Sequence, residues 1–260
     1  MKSAKAIHNQ FQKYRQLKES VGDEEQWIRE YGYYLVQDES KVNKWYGLVV
    51  GPEESQYTGA LLLVRISFPD DYPFSPCRVE NVLPFPKKFN ANLWSADDSQ
   101  SLMCSDGKYQ TFHGLICMDI LNTPHSKMVK NSYGEYKEVY DKSKEQYTPI
   151  ININSIMLSI RSNILNGETL MYHITNDELA YLTLRYLAFG TYLDGFLIRP
   201  DERNGLRMFQ PHLKTIFQRY LSHYRKEIER ISRSDGFSKY ANDLTSMLGR
   251  IDQKYSPTDP

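Results

Sequence analysis

Residues 49–79 read VVGPEESQYTGALLLVRISFPDDYPFSPCRV, and their punctuation decides the fold. One apolar run ends at Val50 against Gly51-Pro52, and a second spans Ala60–Phe68 and stops at Pro69-Asp70. A third starts at Arg78 and reaches Val82. Short runs rich in Val, Ile and Leu between Gly/Pro/Asp turns predict strands. Connections this short favour antiparallel neighbours, because parallel crossovers need a dozen or more residues. Upstream, Trp27–Val36 and Lys44–Val50 have the same character, rich in Tyr and Val. The expectation is a four-stranded antiparallel meander.

Further upstream, Ile7, Phe11, Tyr14 and Leu17 recur at helical spacing, so residues 4–19 are expected to form an amphipathic helix. Its other face carries Lys2, Lys5, Lys13, Arg15 and Lys18, ordinarily a solvated arrangement. Downstream, 83–112 and 122–146 are polar and read as two long loops flanking a short apolar patch, Leu115 to Leu121. Loops of that length in a compact domain are uncommon and usually functional. From Ile151 the pattern turns helical. One stripe is Ile153, Ile156, Met157, Ile160 and Ile164, and a second is Leu179 to Leu193, ended by Gly195. A third follows Pro211 through Leu213, Phe217, Tyr220, Tyr224, Ile228 and Ile231, with a short helix at 238–251. The fold class is therefore α+β, with extra C-terminal helices.

The bulk numbers exclude more than they assign. Lys+Arg and Asp+Glu are 32 each in 260 residues, so no global field points to nucleic acid or a membrane surface. Residues 197–233 hold nine Lys/Arg against four Asp/Glu; such a helix docks a partner or a membrane surface, or packs its apolar stripe on the domain, and packing is expected. The longest aliphatic run, Ala60 to Val64, is too short to span a bilayer, and MKSAKAIHNQ lacks the apolar core of a secretory signal. Cys77, Cys104 and Cys117 are no disulfide framework. A reducing compartment, cytoplasmic or nuclear, suits a free reactive thiol.

Cys77 follows Pro76 at a strand start and reads as a buried small hydrophobe, whereas Cys104 lies in a polar loop. Cys117 sits between the two loops in GLICMDIL. His113 and His125 flank it, but loop histidines are more often solvated than catalytic bases. Cys104, His113, Cys117 and His125 could ligate zinc, yet spacings of nine, four and eight match no common finger. Zinc would also consume the thiol.

Over about residues 4–165 the chain resembles the ubiquitin-conjugating enzymes. KAIHNQFQKYRQL is similar to their opening helix and the 49–79 run to their second and third strands. GLICMDIL resembles the active-site segment, and YTPI with INSIMLSIRSNIL resembles the Trp-Ser-Pro turn and the helix after it, with Tyr147 in place of Trp. The resemblance implies an acyltransferase that takes ubiquitin or a ubiquitin-like modifier from an activating enzyme as a thioester on Cys117. It then passes the modifier to a lysine or a ligase cysteine, with no cofactor. Asn92, in FNANL where the family shows His-Pro-Asn, matches the amide that supports the oxyanion. Lys5, His8, Phe74, Pro149 and Ile150 match positions that bind the activating enzyme and a RING-type or other ligase. Glu168 and Asp177 stand nearest to where an acidic gate would lie, and neither aligns with it.

The implied organisation is a core of residues 1–195 with insertions at 93–112 and 122–146, and a helical extension over 196–260. The insertions put 25 positions between Asn92 and Cys117 and 30 between Cys117 and Tyr147. The alternative from another class is a catalytically inactive variant of the same fold that binds ubiquitin or scaffolds a complex.

Overall fold

In the computed structural model, which describes residues 2–38, 40–82, 85–86, 93–95, 102–103, 110–112, 114–116, 118–121, 126–130, 136–140, 147–165, 175–192, 205 and 207–255, the 49–79 run lies inside an antiparallel sheet. Strands β1 (Tyr33–Asp38), β2 (Lys41–Val50), β3 (Leu61–Ser67) and β4 (Arg78–Asn81) pair in chain order, which is the expected meander.

The sheet does not stop there. The segments expected to be loops contain short strands, β5 (Phe85–Pro86), β6 (Leu93–Ser95), β7 (Leu102–Met103), β8 (Gln110–Phe112), β10 (Ser126–Lys130) and β11 (Tyr136–Tyr140), and β9 (Gly114–Ile116) opens the apolar patch between them. Strands β9 and β6 extend the meander to the order β1-β2-β3-β4-β9-β6; β5-β8-β7 make a second small sheet, and β10-β11 a hairpin. Polar composition concealed them. The hairpin is lysine-rich, yet Val129, Val139, Tyr136 and Tyr140 are good strand formers on a pleated surface.

Trp27–Glu30, expected as the start of the first strand, is helical instead. Helix α1 (Lys2–Val21) is followed by α2 (Glu24–Glu30). The Asp23 carboxylate caps α2 by accepting from the N–H groups of Glu25 and Gln26 at 3.1 and 3.3 Å. Glu24 and Glu25 in the first turn complement the helix dipole. Gly32, at φ +59°, turns the chain into β1, and an added Cβ there would collide with the Arg161 guanidinium at 2.6 Å.

Both faces of the sheet are covered. By register, Tyr33 and Leu35 of β1, Trp45, Gly47 and Val49 of β2, and Leu62, Val64 and Ile66 of β3 share one face. That face meets α1, through Phe11 against Trp45 (ring centroids 5.2 Å apart), and α3 (Ile153–Ile164), whose Met157 lies over Gly47. The opposite face holds Tyr34, Leu48, Leu61 and Leu63, all fully buried. Two-sided burial is why Leu61–Val64 shows no polar alternation.

The C-terminal helices cover that second face. Helix α4 (Asn176–Leu182) runs into a π-helical stretch, Thr183–Ala188, and α5 (Phe189–Tyr192); then come α6 (Gln210–Ser232) and α7 (Ala241–Tyr255). The α6 stripe is buried as expected, from Leu213 and Phe217 to Ile231. Its anchors are specific. Tyr224 donates its hydroxyl to the Gly59 carbonyl at 2.7 Å, and His212 stacks on Tyr34 at 4.0 Å. Arg219 pairs with Glu25 and Glu53, so part of the local basic excess is neutralised by the core.

Candidate active-site segment and docking surface

Strand β9 joins the segments next to the candidate catalytic positions in one ladder. Its Leu115 pairs with Glu80 of β4 on one side and with Trp94 of β6 on the other. The β6–β9 register is Leu93↔Ile116, Trp94↔Leu115 and Ser95↔Gly114. Asn92 and Cys117 lie outside the described residues, but each is bonded to one of the paired residues, Leu93 and Ile116. Ile116 and Met118 are both buried, and Met118 leads into a short 3₁₀ turn, Asp119–Leu121. Ala91 and Asn90, the rest of the altered tripeptide, also lie outside the described residues, as do Cys104, His113, His125 and Glu168. Among the described residues no His/Cys/Asp/Glu group could hold a metal.

Two described candidates can be placed. Cys77 is buried, and burial pushes its thiol up to about 12, so it stays protonated and cannot serve as a nucleophile at neutral pH. Asp177 forms an ion pair with Arg230 of α6, which ties α4 to the C-terminal helices.

The expected docking residues are all exposed. Phe74 and Ile150 are 76% and 89% exposed, unusual for large apolar side chains, and Pro149, Lys5 and His8 are also on the surface. A groove of about 380 Å³ runs between α1 and the two loops, lined by Asn9, Gln10, Gln12, Lys13, Pro73 and Pro149. Phe74 follows Pro73 and Ile150 follows Pro149, so the two apolar residues flank this groove in the chain. Lys5 and His8 are on α1 but are not among the residues that line it.

Contacts that sequence reasoning missed hold these parts together. Tyr147, 3% exposed, donates its hydroxyl to the Pro73 carbonyl at 2.9 Å. Burial first, then nearby Cys77, pushes that phenol up to about 12, so it remains a donor at neutral pH. Gln10 accepts from the Ile153 N–H at 3.1 Å, joining α1 to the first turn of α3, and Ser3 donates to the Pro69 carbonyl at 3.2 Å.

A second polar cluster serves the fold. Glu24 of α2 lies 3.0 Å from His212 Nδ1 of α6, accepts from Tyr34 at 2.8 Å and pairs with Lys18 of α1 at 3.4 Å. The His212 hydrogen bond, with that from Tyr34 and the charge of Lys18, outweighs burial and holds the Glu24 carboxyl down at about 2.

The family model for ubiquitin-conjugating enzymes matches residues 15–95. Ubiquitin-conjugating enzyme E2 14 of Arabidopsis thaliana is 30% identical over 141 residues, covering 54% of this chain and 62% of that protein. Ubiquitin-conjugating enzyme E2 15 of Schizosaccharomyces pombe is 26% identical over 125 residues, 48% of this chain and 58% of the relative. The chain thus spans about six-tenths of the length of the curated relatives it matches. A crystal structure of ubiquitin conjugating enzyme E2 from Plasmodium falciparum is 21% identical, with 51% of this chain and 69% of that one covered. Its TM-score of 0.33 is too low to bear on the fold, which stands on the strand register itself.

Proposed function

Because this chain is a divergent member of the ubiquitin-conjugating enzyme family, we propose that it carries ubiquitin, or a ubiquitin-like modifier, as a thioester on Cys117 and transfers it to a substrate lysine or a ligase cysteine. What supports this is the β6–β9 register. It pairs Leu93 with Ile116, the chain neighbours of Asn92 and Cys117, across 23 positions of sequence.

The chemistry asks little of the protein. The Cys117 thiolate attacks the modifier's thioester carbonyl on the activating enzyme; the new C–S bond forms as the old one breaks, and the departing thiolate takes up the proton. In discharge to an amine, nitrogen attacks the same carbonyl, loses a proton to solvent and expels the Cys117 thiolate. The oxyanion between these events needs a donor, and the Asn92 side-chain amide is the group assigned to it, a role worth about 2.7–4 kcal/mol in comparable sites. The bond to be broken is already activated, so neither metal nor organic cofactor is required.

Partners meet the α1 end of the molecule. Phe74, Pro149 and Ile150, with Lys5 and His8 on the adjacent helix face, form the surface for the activating enzyme and for a RING-type or other ligase. Residues 1–195 make the carrier core and 196–260 an extension that covers the second sheet face.

Incubation with ubiquitin-activating enzyme, ATP and ubiquitin tests the proposal. A thiol-sensitive adduct that disappears in Cys117→Ala is expected, and no adduct with ubiquitin or any ubiquitin-like modifier would overturn it. The second reading, a non-catalytic ubiquitin-binding or scaffolding variant, draws on Asn90-Ala91-Asn92 standing where the family has His-Pro-Asn. It requires ubiquitin binding that survives Cys117→Ala with no adduct.

A further inference from the structure

The helical run from Asn176 to Tyr192 changes its hydrogen-bond register midway. The Thr183 N–H donates to the Ala180 and Leu179 carbonyls, three and four residues back, whereas the Phe189 N–H reaches the Leu184 carbonyl, five back. Wide turns of this kind recur at functional sites. Thr183 is 3% exposed, and its hydroxyl has no hydrogen-bond partner among the described residues. A helical Thr ordinarily returns that hydroxyl to a carbonyl three or four residues back. An unmade bond in the interior opposes the wide register, so packing holds it in place. The stretch Thr183–Ala188 lies against β3 and β5. Its Arg185 reaches α7, donating to the Met247 sulfur at 3.2 Å and pairing with Asp243 at 3.5 Å. Strand β5 in turn pairs with β8, Phe85 with Phe112 and Pro86 with Thr111. Position 113 alone separates β8 from β9, whose last residue, Ile116, precedes Cys117. A continuous series of neighbouring elements thus runs from α7 through the π-helical turn to β9.

We propose that Thr183–Ala188 is a two-register turn that couples α7 to the strand leading into Cys117. In the π register, held by Arg185 on α7, it seats β5. Displacing α7 returns it to the α-helical register, which shifts β5 and, through β8, β9. One step of register moves a helix by about 1.5 Å along its axis and about 100° around it. Leu182, Leu184, Leu187 and Ala188 are all buried, so such a step cannot be absorbed locally and the neighbours move with it. The orphan hydroxyl narrows the free-energy gap between the registers, which is what a switch requires. That β9 serves a thioester rests on the carrier function proposed above, whereas the coupling itself does not.

Three variants of the full chain push the turn in opposite directions. Thr183→Val keeps the chain length and removes the orphan hydroxyl, which favours the π register. Deletion of Thr183 takes one residue out of the wide turn, and Arg185→Met cuts the tie to Asp243; both favour the α register. Amide hydrogen exchange and thermal unfolding are measured on each beside wild type. Thr183→Val should raise Tm and slow exchange across β8 and β9 by about threefold, while the other two should quicken it there by about the same factor. On charging by ubiquitin-activating enzyme with ATP and ubiquitin, Arg185→Met should lower kcat and leave KM for the carrier within about twofold. Exchange that changes only within 176–192 while β8 and β9 keep wild-type rates overturns the proposal, as does a lowered Tm in Thr183→Val. If the deletion variant does not fold, the two substitutions decide alone. If wild type forms no thioester, the carrier function fails, and exchange still decides whether the turn moves β9.

Discussion

At the scale of single residues, the decisive side chains bond to partners remote in sequence. Cys77 was legible, because a Cys after Pro at a strand start has few alternatives to burial. Phe74 and Ile150 were legible only through a family pattern, since nothing in local composition distinguishes an exposed Phe from a core one. What Tyr147, Gln10 and Arg161 bond to was not legible at all. Their hydrogen bonds reach across 74, 143 and more than 110 positions, and no periodicity encodes such a distance. Arg161 is buried, yet it meets backbone instead of an acid: its guanidinium donates to the carbonyls of Val50 at 3.0 Å, Glu30 at 3.1 Å and Ile28 at 3.3 Å. It thereby satisfies the last turn of α2, where a cation also suits the dipole. Arg161→Met should lower unfolding stability by about 3 kcal/mol by stranding those carbonyls. A urea titration with unchanged m value checks this. On the proposed chemistry, Asn92→Ala should slow discharge onto free lysine by about a hundredfold while loading persists. An unchanged single-turnover rate would remove Asn92 from the mechanism.

Elements were legible where one periodicity ran unopposed. α1, α3 and α6 carry clean apolar stripes, and β2 and β3 are bounded by Gly/Pro turns. Trp27–Val36 misled because aromatic residues suit strands, while the helix signal was a single capping aspartate upstream. The docking of α6 also has a pH signature. Glu24 has a depressed carboxyl in the folded chain, about 2 against an ordinary 4.5, so its bonds contribute stability that is fully present above pH about 4.5. That contribution is lost as pH falls towards 2. Glu24→Gln should flatten the acid limb of the stability curve in this window, and His212→Ala should do so in part; circular dichroism between pH 2 and 6 reads both. Gly59→Ala should cost about 1–2 kcal/mol from the backbone alone, because φ is +75° there. The new methyl would also press on Tyr224 at 2.7 Å and break its bond to Gly59.

For the molecule as a whole, the α+β class and the meander were legible, but the two-sided cover was not. The run of four apolar residues in β3 already departs from one-sided alternation, and only the position of α6 explains it. Removing residues 196–260, and with them α6 and α7, should therefore expose Tyr34, on which His212 stacks, and uncover part of the face it shares with Leu48, Leu61 and Leu63. The shortened chain is expected to bind a hydrophobic dye and to lose cooperative thermal unfolding, whereas a cleanly two-state truncation would show the cover to be dispensable.

The β6–β9 pairing has one further consequence. Ser95 faces Gly114, so β6 and β9 are paired arms, and the chain between them includes β8, which pairs with Phe85–Pro86 outside that span. Enlarging a closed turn is thermodynamically mild, about 0.6 kcal/mol per doubling of its length. Such a joint lets a lineage enlarge, trim or exchange what hangs from the turn while the ladder beneath keeps its register. Joining Ser95 to Gly114 through Asn-Gly alone would restore an ordinary two-residue hairpin. That joint would also remove β7 and β8 and leave β5 without its partner strand, while the β6–β9 register stays.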